Sequence, residues 1–198
     1  MKNYKITRFL MATIVFLAAS VSVNAAEWVV DNNNSQLNFI SIKKVNIAEV
    51  HQFSNLQGYL DSQGQLVLNI DLASVDTHNA VRDERMTKYF FDVDSFSTAK
   101  LMAKIDLSMV DAIAQGSSAR LSVNAELDLH GEIAPLKLDV MVTRLVGAKL
   151  SVVSLQPVLL NVEDFSLVSG VNKLMELAKL PSISHVVPVS FYLTFNLK

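Results

Sequence analysis

Four histidines, His51, His78, His130 and His185, are the first side chains from which chemistry could be expected. Two imidazoles grip zinc from one helical face when they stand four residues apart. None of the four shows that spacing, and the chain has no Cys to join them. His130 falls on the polar side of a run carrying Leu127 and Leu129, and His51 and His185 read as isolated, exposed histidines. No Gly-rich phosphate loop and no Gly-x-Ser-x-Gly elbow is present. Ser, His and Asp brought together only by the fold stay open as a set, but nothing local points to one. The expectation is no catalytic residue, no metal ligand and no cofactor.

The densest polar group is Arg82-Asp83-Glu84-Arg85, followed by Asp92 and Asp94. It reads in two ways. One is a rim that takes a polar head group. The other is a helix surface with local ion pairs, each worth little when exposed. Spacing alone favours the helix surface.

The elements that must position these residues are mostly strands. Leu66–Leu72, Leu121–Leu129 and Val187–Leu197 alternate apolar with mostly polar residues at period two, as a strand with one wet face requires. Weaker candidates are Glu27–Asp31, Leu37–Ile42, Gly58–Leu60, Leu101–Leu107, Leu136–Val142, Lys149–Val153 and Pro157–Val162. Turn signals separate them, such as Asp61-Ser62-Gln63-Gly64, Gln115-Gly116-Ser117 and His130-Gly131. Two segments break the pattern. Thr77–Phe91, capped by Asp76, puts Met86, Tyr89 and Phe90 on one helical face. Val171–Leu180 repeats Val171, Leu174, Met175 and Ala178, with Pro181 as its stop. The fold class is all-β, an antiparallel meander with one or two short flanking helices. Its apolar face must be covered by a second sheet or by closure on itself, and periodicity fits a sandwich and a barrel alike. A closed barrel of about eight strands is either filled or holds one ligand.

Composition narrows the class. The chain is 51% hydrophobic and only 18% charged, with a net charge of −2, so it is neither disordered nor a nucleic-acid binder. Lys2, Lys5 and Arg8 precede the apolar run Phe9–Ala19, and Val23-Asn24-Ala25 offers a cleavage site. This is the pattern of a secretory signal peptide over residues 1–25, leaving 26–198 as one domain. No later run approaches the roughly 20 residues of a spanning helix, so the mature form is expected without a membrane span.

Several stretches, in order and spacing, carry a family resemblance. They are Leu37–Lys44, Ala48–Phe53 leading to Leu56-Gln57-Gly58, Ile70–Thr77, Val81–Met86, Phe90–Val93, Leu127–Gly131 and Asn161–Phe165. From Trp28 to Leu197 the chain resembles the YceI-like family of secreted bacterial proteins. The resemblance implies a lipocalin-like antiparallel β-barrel with a long hydrophobic cavity. It implies a periplasmic ligand that is a polyisoprenoid, an isoprenoid quinone or a similar long-chain amphiphile, and no common enzymatic reaction. It also implies that Arg82–Arg85 hold the flanking helix in place. The chain departs from many members at Val162, where they have Arg, and at Ser166, where they have Gly.

The function expected is binding, sequestration or transport of such an amphiphile inside the barrel. The alternative is an enzyme, or an accessory of one, acting on a quinone or lipid. Alternation nominates Phe39, Leu68, Ile70, Leu127, Leu129, Leu138, Val140, Phe191, Leu193 and Phe195 as the ligand-facing wall. For the leader, N-terminal sequencing of the exported protein should begin at Ala26 or one residue later. A chain that begins at Met1 and stays with the membrane would contradict this.

Overall fold

The computed structural model describes residues 27–198; the expected signal peptide lies outside them. The strands are β1 (Trp28–Val30), β2 (Gln36–Lys43), β3 (Ile47–Phe53), β4 (Leu56–Leu60), β5 (Gln65–Asp71) and β6 (Val75–Asp76). They continue with β7 (Thr98–Lys104), β8 (Ser118–Leu129), β9 (Glu132–Leu145), β10 (Lys149–Ser154), β11 (Val158–Asn161) and β12 (Val186–Leu197). Every pairing is antiparallel. The order β1-β4-β5-β7-β8-β9-β10-β12 returns from β12 to β1, so the sheet is a closed eight-stranded barrel.

The remaining strands are continuations of these. β2 follows β1 past a 3₁₀ turn at Asn32–Asn34, β3 runs into β4, β6 follows β5 and β11 follows β10. The continuations also pair in the same neighbour order. The fold is therefore eight long, bent strands in up-and-down order. Asn32 stitches two adjacent bends together. Its amide donates to the Ser54 carbonyl at 3.0 Å and its carbonyl accepts from the Leu56 N–H at 2.7 Å, replacing ladder bonds the bends remove.

The two barrel ends differ. At one, helix α2 (Leu107–Asp111), with Asp106 accepting from the Ser108 N–H, buries Val110, and the following turn buries Ile113. The other end carries the β2–β3 turn, helix α1 (Ala80–Arg85) and helix α3 (Val168–Ala178).

Several elements differ from those expected. Alternation does not reveal the strand β3, because its inward face is polar at Glu49 and His51 while its outward Val50 is 58% exposed. The run expected as strand to Leu107 ends at Lys104 and turns into α2. The N-cap of α1 is Asn79, not Asp76. Asn79 accepts from the Arg82 N–H at 3.2 Å, while the Asp76 carboxylate is taken by the His78 N–H at 2.8 Å. Past α1 the chain widens into a π-turn over Met86–Phe90, closed by the Phe91 N–H to the Met86 carbonyl at 2.9 Å. That extra residue per turn buries Met86 and Phe91 and leaves Tyr89 exposed, so Met86, Tyr89 and Phe90 do not share one face as expected. The helix α3 is stopped by Lys179 in the left-handed region (φ 52°), two residues before Pro181. His130 is not on the strand but in the β8–β9 turn, at φ 56°, with its ring 4.2 Å from that of Phe96.

Helix α3 meets the π-turn closely at Gly170. A Cβ there would lie 2.9 Å from both Phe90 Cα and the Tyr89 carbonyl oxygen. Alanine is the better helix former by about 1 kcal/mol, yet overpacking costs typically 1–3 kcal/mol. Gly170→Ala should therefore lower the thermal midpoint. A midpoint that rises, as propensity alone would give, would show that this contact does not set the helix position.

Candidate functional site: an apolar cavity with a polar mouth

Inside the barrel lies a cavity of about 620 Å³. That volume falls within the roughly 300–1,000 Å³ of small-molecule sites. Every residue nominated for the wall lines it: Phe39 from β2, Leu68 and Ile70 from β5, Leu127 and Leu129 from β8, Leu138 and Val140 from β9, and Phe191, Leu193 and Phe195 from β12. Their i, i+2 spacing explains the placement, since a strand sends alternate side chains to one face. At the α2 end the lining is apolar and tight, with Leu60, Val110, Leu121 and Leu150 all buried.

Towards α1 the lining changes character along single strands. On β2 the inward row reads Leu37, Phe39, Ser41, Lys43, and on β3 it reads Phe53, His51, Glu49. The pairs Leu37 with Phe53, Phe39 with His51 and Ser41 with Glu49 stand opposite each other. The wall thus grades from apolar to charged over a few residues. Helix α1 and its N-cap Asn79 complete the mouth with Val81, Arg82 and Arg85, and the segment after α3 adds Leu180 and Ile183.

One carboxylate organises this mouth. Glu49 Oε2 receives Lys43 Nζ at 2.6 Å and Arg82 Nη1 at 2.6 Å. The hydrogen bond from Lys43, with the Arg82 charge beside it, holds the Glu49 carboxyl below the usual carboxylate range. Arg82 Nη2 also donates to the Thr77 carbonyl at 2.7 Å, and buried Thr77 gives its N–H and hydroxyl to Asp83 at 2.8 and 2.6 Å. Arg85 Nη1 reaches the Leu177 carbonyl of α3 at 3.3 Å. Arg82 and Arg85 are therefore not paired locally along a helix surface, which spacing alone favoured. They tie α1 across to β3 and α3 and face the cavity.

The family model of the YceI-like domain matches residues 28–195. The chain belongs to the YceI-like family. Among solved structures, this YceI-like chain is similar to a polyisoprenoid-binding domain from Saccharophagus degradans implicated in plant cell wall breakdown. The identity is 36% and the TM-score 0.84, over 86% of this chain and 98% of that one. BcnA of Burkholderia cenocepacia is 21% identical with a TM-score of 0.63, over 83% of this chain and 98% of that one. The YCEI protein of Campylobacter jejuni is 17% identical with a TM-score of 0.53, over 75% of this chain and 85% of that one. These last two share the fold. No curated protein matches the chain.

Two features of the YceI-like site were not legible in the sequence. The first is the polar mouth on β3, whose inward Glu49 and His51 hide the strand itself. The second is His51. It is 1% exposed, not the surface histidine expected, and its Nε2 lies 2.8 Å from the Ser41 hydroxyl. Among the described residues its Nδ1 has no hydrogen-bond partner, and neither does Arg82 Nε. Among the described residues, no group of three or more His, Asp or Glu is placed to hold a metal ion. No described helix is long and apolar enough to cross a membrane.

Burial pushes the His51 imidazole down to about 4, and the Arg82 charge adds to the shift. The folded value lies below the ordinary value of about 6.5, so folding favours the neutral ring. The associated stability is complete above pH about 6.5 and is lost as pH falls towards 4, in total roughly 3 kcal/mol. Denaturant titrations across that window should show this loss in the wild type and a flatter profile in His51→Gln. Equal slopes in the two proteins would mean that His51 titrates as it does in the unfolded chain.

Proposed function

We propose that the protein binds a long-chain amphiphile, a polyisoprenoid, isoprenoid quinone or similar lipid, and shelters or carries it in the periplasm. The observation that carries this reading is a hollow barrel whose wall is apolar to the depth of α2 and polar only at its mouth. Such a site suits a molecule with a hydrocarbon tail and one polar end. Each methylene moved from water to the wall contributes about 0.8 kcal/mol. The 36% identical relative from Saccharophagus degradans, itself a polyisoprenoid-binding domain, supports the same ligand class here. The leader pattern supports export.

Binding without chemistry is favoured over a reaction on a quinone or lipid. Among the described residues the one Ser–His pair on the wall is Ser41 with His51, and no described group bonds His51 Nδ1 to orient a catalytic imidazole. Its depressed basicity also suits a general base poorly at neutral pH.

Mass spectrometry of an organic extract of the purified protein should find a stoichiometric long-chain lipid. Leu68→Trp and Leu129→Trp place an indole in the hollow and should abolish lipid retention while lowering stability less than the 1–3 kcal/mol typical of an overpacked core. Asn69→Trp, on the outer face, should leave both unchanged. A lipid-free wild type whose inward variants unfold would mean that the barrel serves another purpose.

A further inference from the structure

The turn Lys44-Val45-Asn46 joins β2 to β3 at the mouth. Lys44 and Val45 both take positive φ, 49° and 70°. For a β-branched residue that conformation is a steric outlier. Among the described residues Val45 is the one β-branched residue with a positive φ, whereas other turns place glycine at such a position, at Gly64, Gly131 and Gly147. Val45 also gains nothing from burial, being 76% exposed. A strained, exposed valine at a turn tip calls for a partner outside the fold.

Its neighbours share the feature. Ile47 is 43% exposed and Val81, which also lines the cavity, is 57% exposed. The turn is fixed to the segment after α3 by the Lys44 N–H to the Ser182 carbonyl at 3.1 Å. Lys44 stands in the turn itself, and Lys43, Arg82 and Arg85 line the cavity beside it. Among the described residues Glu49 is the one carboxylate on the cavity wall, and it is already held by Lys43 and Arg82.

We propose that this lip docks on a lipid bilayer containing anionic lipid. Val45 and Ile47 enter the headgroup layer and Lys44 meets lipid phosphate. Exposed apolar side chains flanked by lysine are what an interfacial membrane surface requires. The chain as a whole carries a net charge of −2, so the attraction is local and orients the molecule mouth-down. The lip is continuous with the cavity opening, so a tail leaving the bilayer would enter the barrel without crossing water. That rationale rests on the proposed lipid function, but the docking is measured without a ligand.

The opposite end supplies the control. Val146 is 77% exposed in a turn whose left-handed positions fall on Gly147 and Ala148, and that end is closed by α2. The test is co-sedimentation of the purified protein with vesicles of phosphatidylethanolamine and phosphatidylglycerol, and with vesicles of phosphatidylcholine alone. The wild type should bind the anionic vesicles, and salt should weaken binding. Lys44→Glu should lower partitioning about tenfold. Val45→Asn should lower vesicle binding while raising the thermal midpoint, because asparagine tolerates the left-handed turn. Val146→Asn should leave binding unchanged. A wild type that ignores anionic vesicles, or a Val146→Asn protein that loses as much binding as Val45→Asn, overturns the proposal. Uptake of cis-parinaric acid from detergent, measured in parallel, separates the two claims. Uptake without vesicle binding removes the docking alone. Vesicle binding without uptake supports the docking and removes the lipid-carrier reading.

Discussion

The pairing of Trp28 with Leu197 and of Val30 with Phe195 closes the sheet, and the rest of the molecule depends on it. An open antiparallel sheet has two edges and two faces, each of which must be managed. Closure removes both edges and makes one face an inside. Each strand must then alternate between that inside and water, which decides where every Leu and Phe of the wall stands. The eight-strand count also fixes the width. Side chains can fill such a barrel, but here the inward residues leave a hollow.

Closure leaves two rims, and the sequence treats them differently. One is covered by short, tightly packed apolar residues from α2 and its turn. The other is held open by a network that cannot pack flat. Glu49 takes two cations on one oxygen, Arg82 divides its donors between Glu49 and Thr77, and Asp83 fastens the start of α1 to Thr77. Partly exposed charges of this kind contribute little stability. What they provide is position: α1 and the π-turn are held against α3, with Gly170 permitting the close approach.

The fold was legible wherever a strand had one dry and one wet face. Leu66–Leu72, Leu121–Leu129 and Val187–Leu197 announced themselves, and the wall residues followed by counting in twos. Legibility failed where function and pattern part company. Ile47–Phe53 places Glu49 and His51 inward and Val50 outward, which reverses the rule that polar means outside. The same reversal hid the mouth, since Arg82 and Arg85 are close in sequence but their partners lie on β3 and on α3. The helix around Met86 misled for another reason. A single-residue widening changes the face of everything after it, and no periodicity in so short a segment reports it. The family resemblance supplied the barrel and its cavity, which alternation left level with a sandwich.

The apolar floor packed at α2 has a consequence for traffic. A tube open at both ends is a conduit; one closed at the far end is a scabbard. Whatever slides in must leave by the route it came, last part in and first part out. The depth between α2 and the Glu49 mouth then acts as a gauge, because a chain longer than that depth leaves its remainder outside. For the proposed amphiphile such a vessel would select by length and by the blunt end left showing, with no lock deep within.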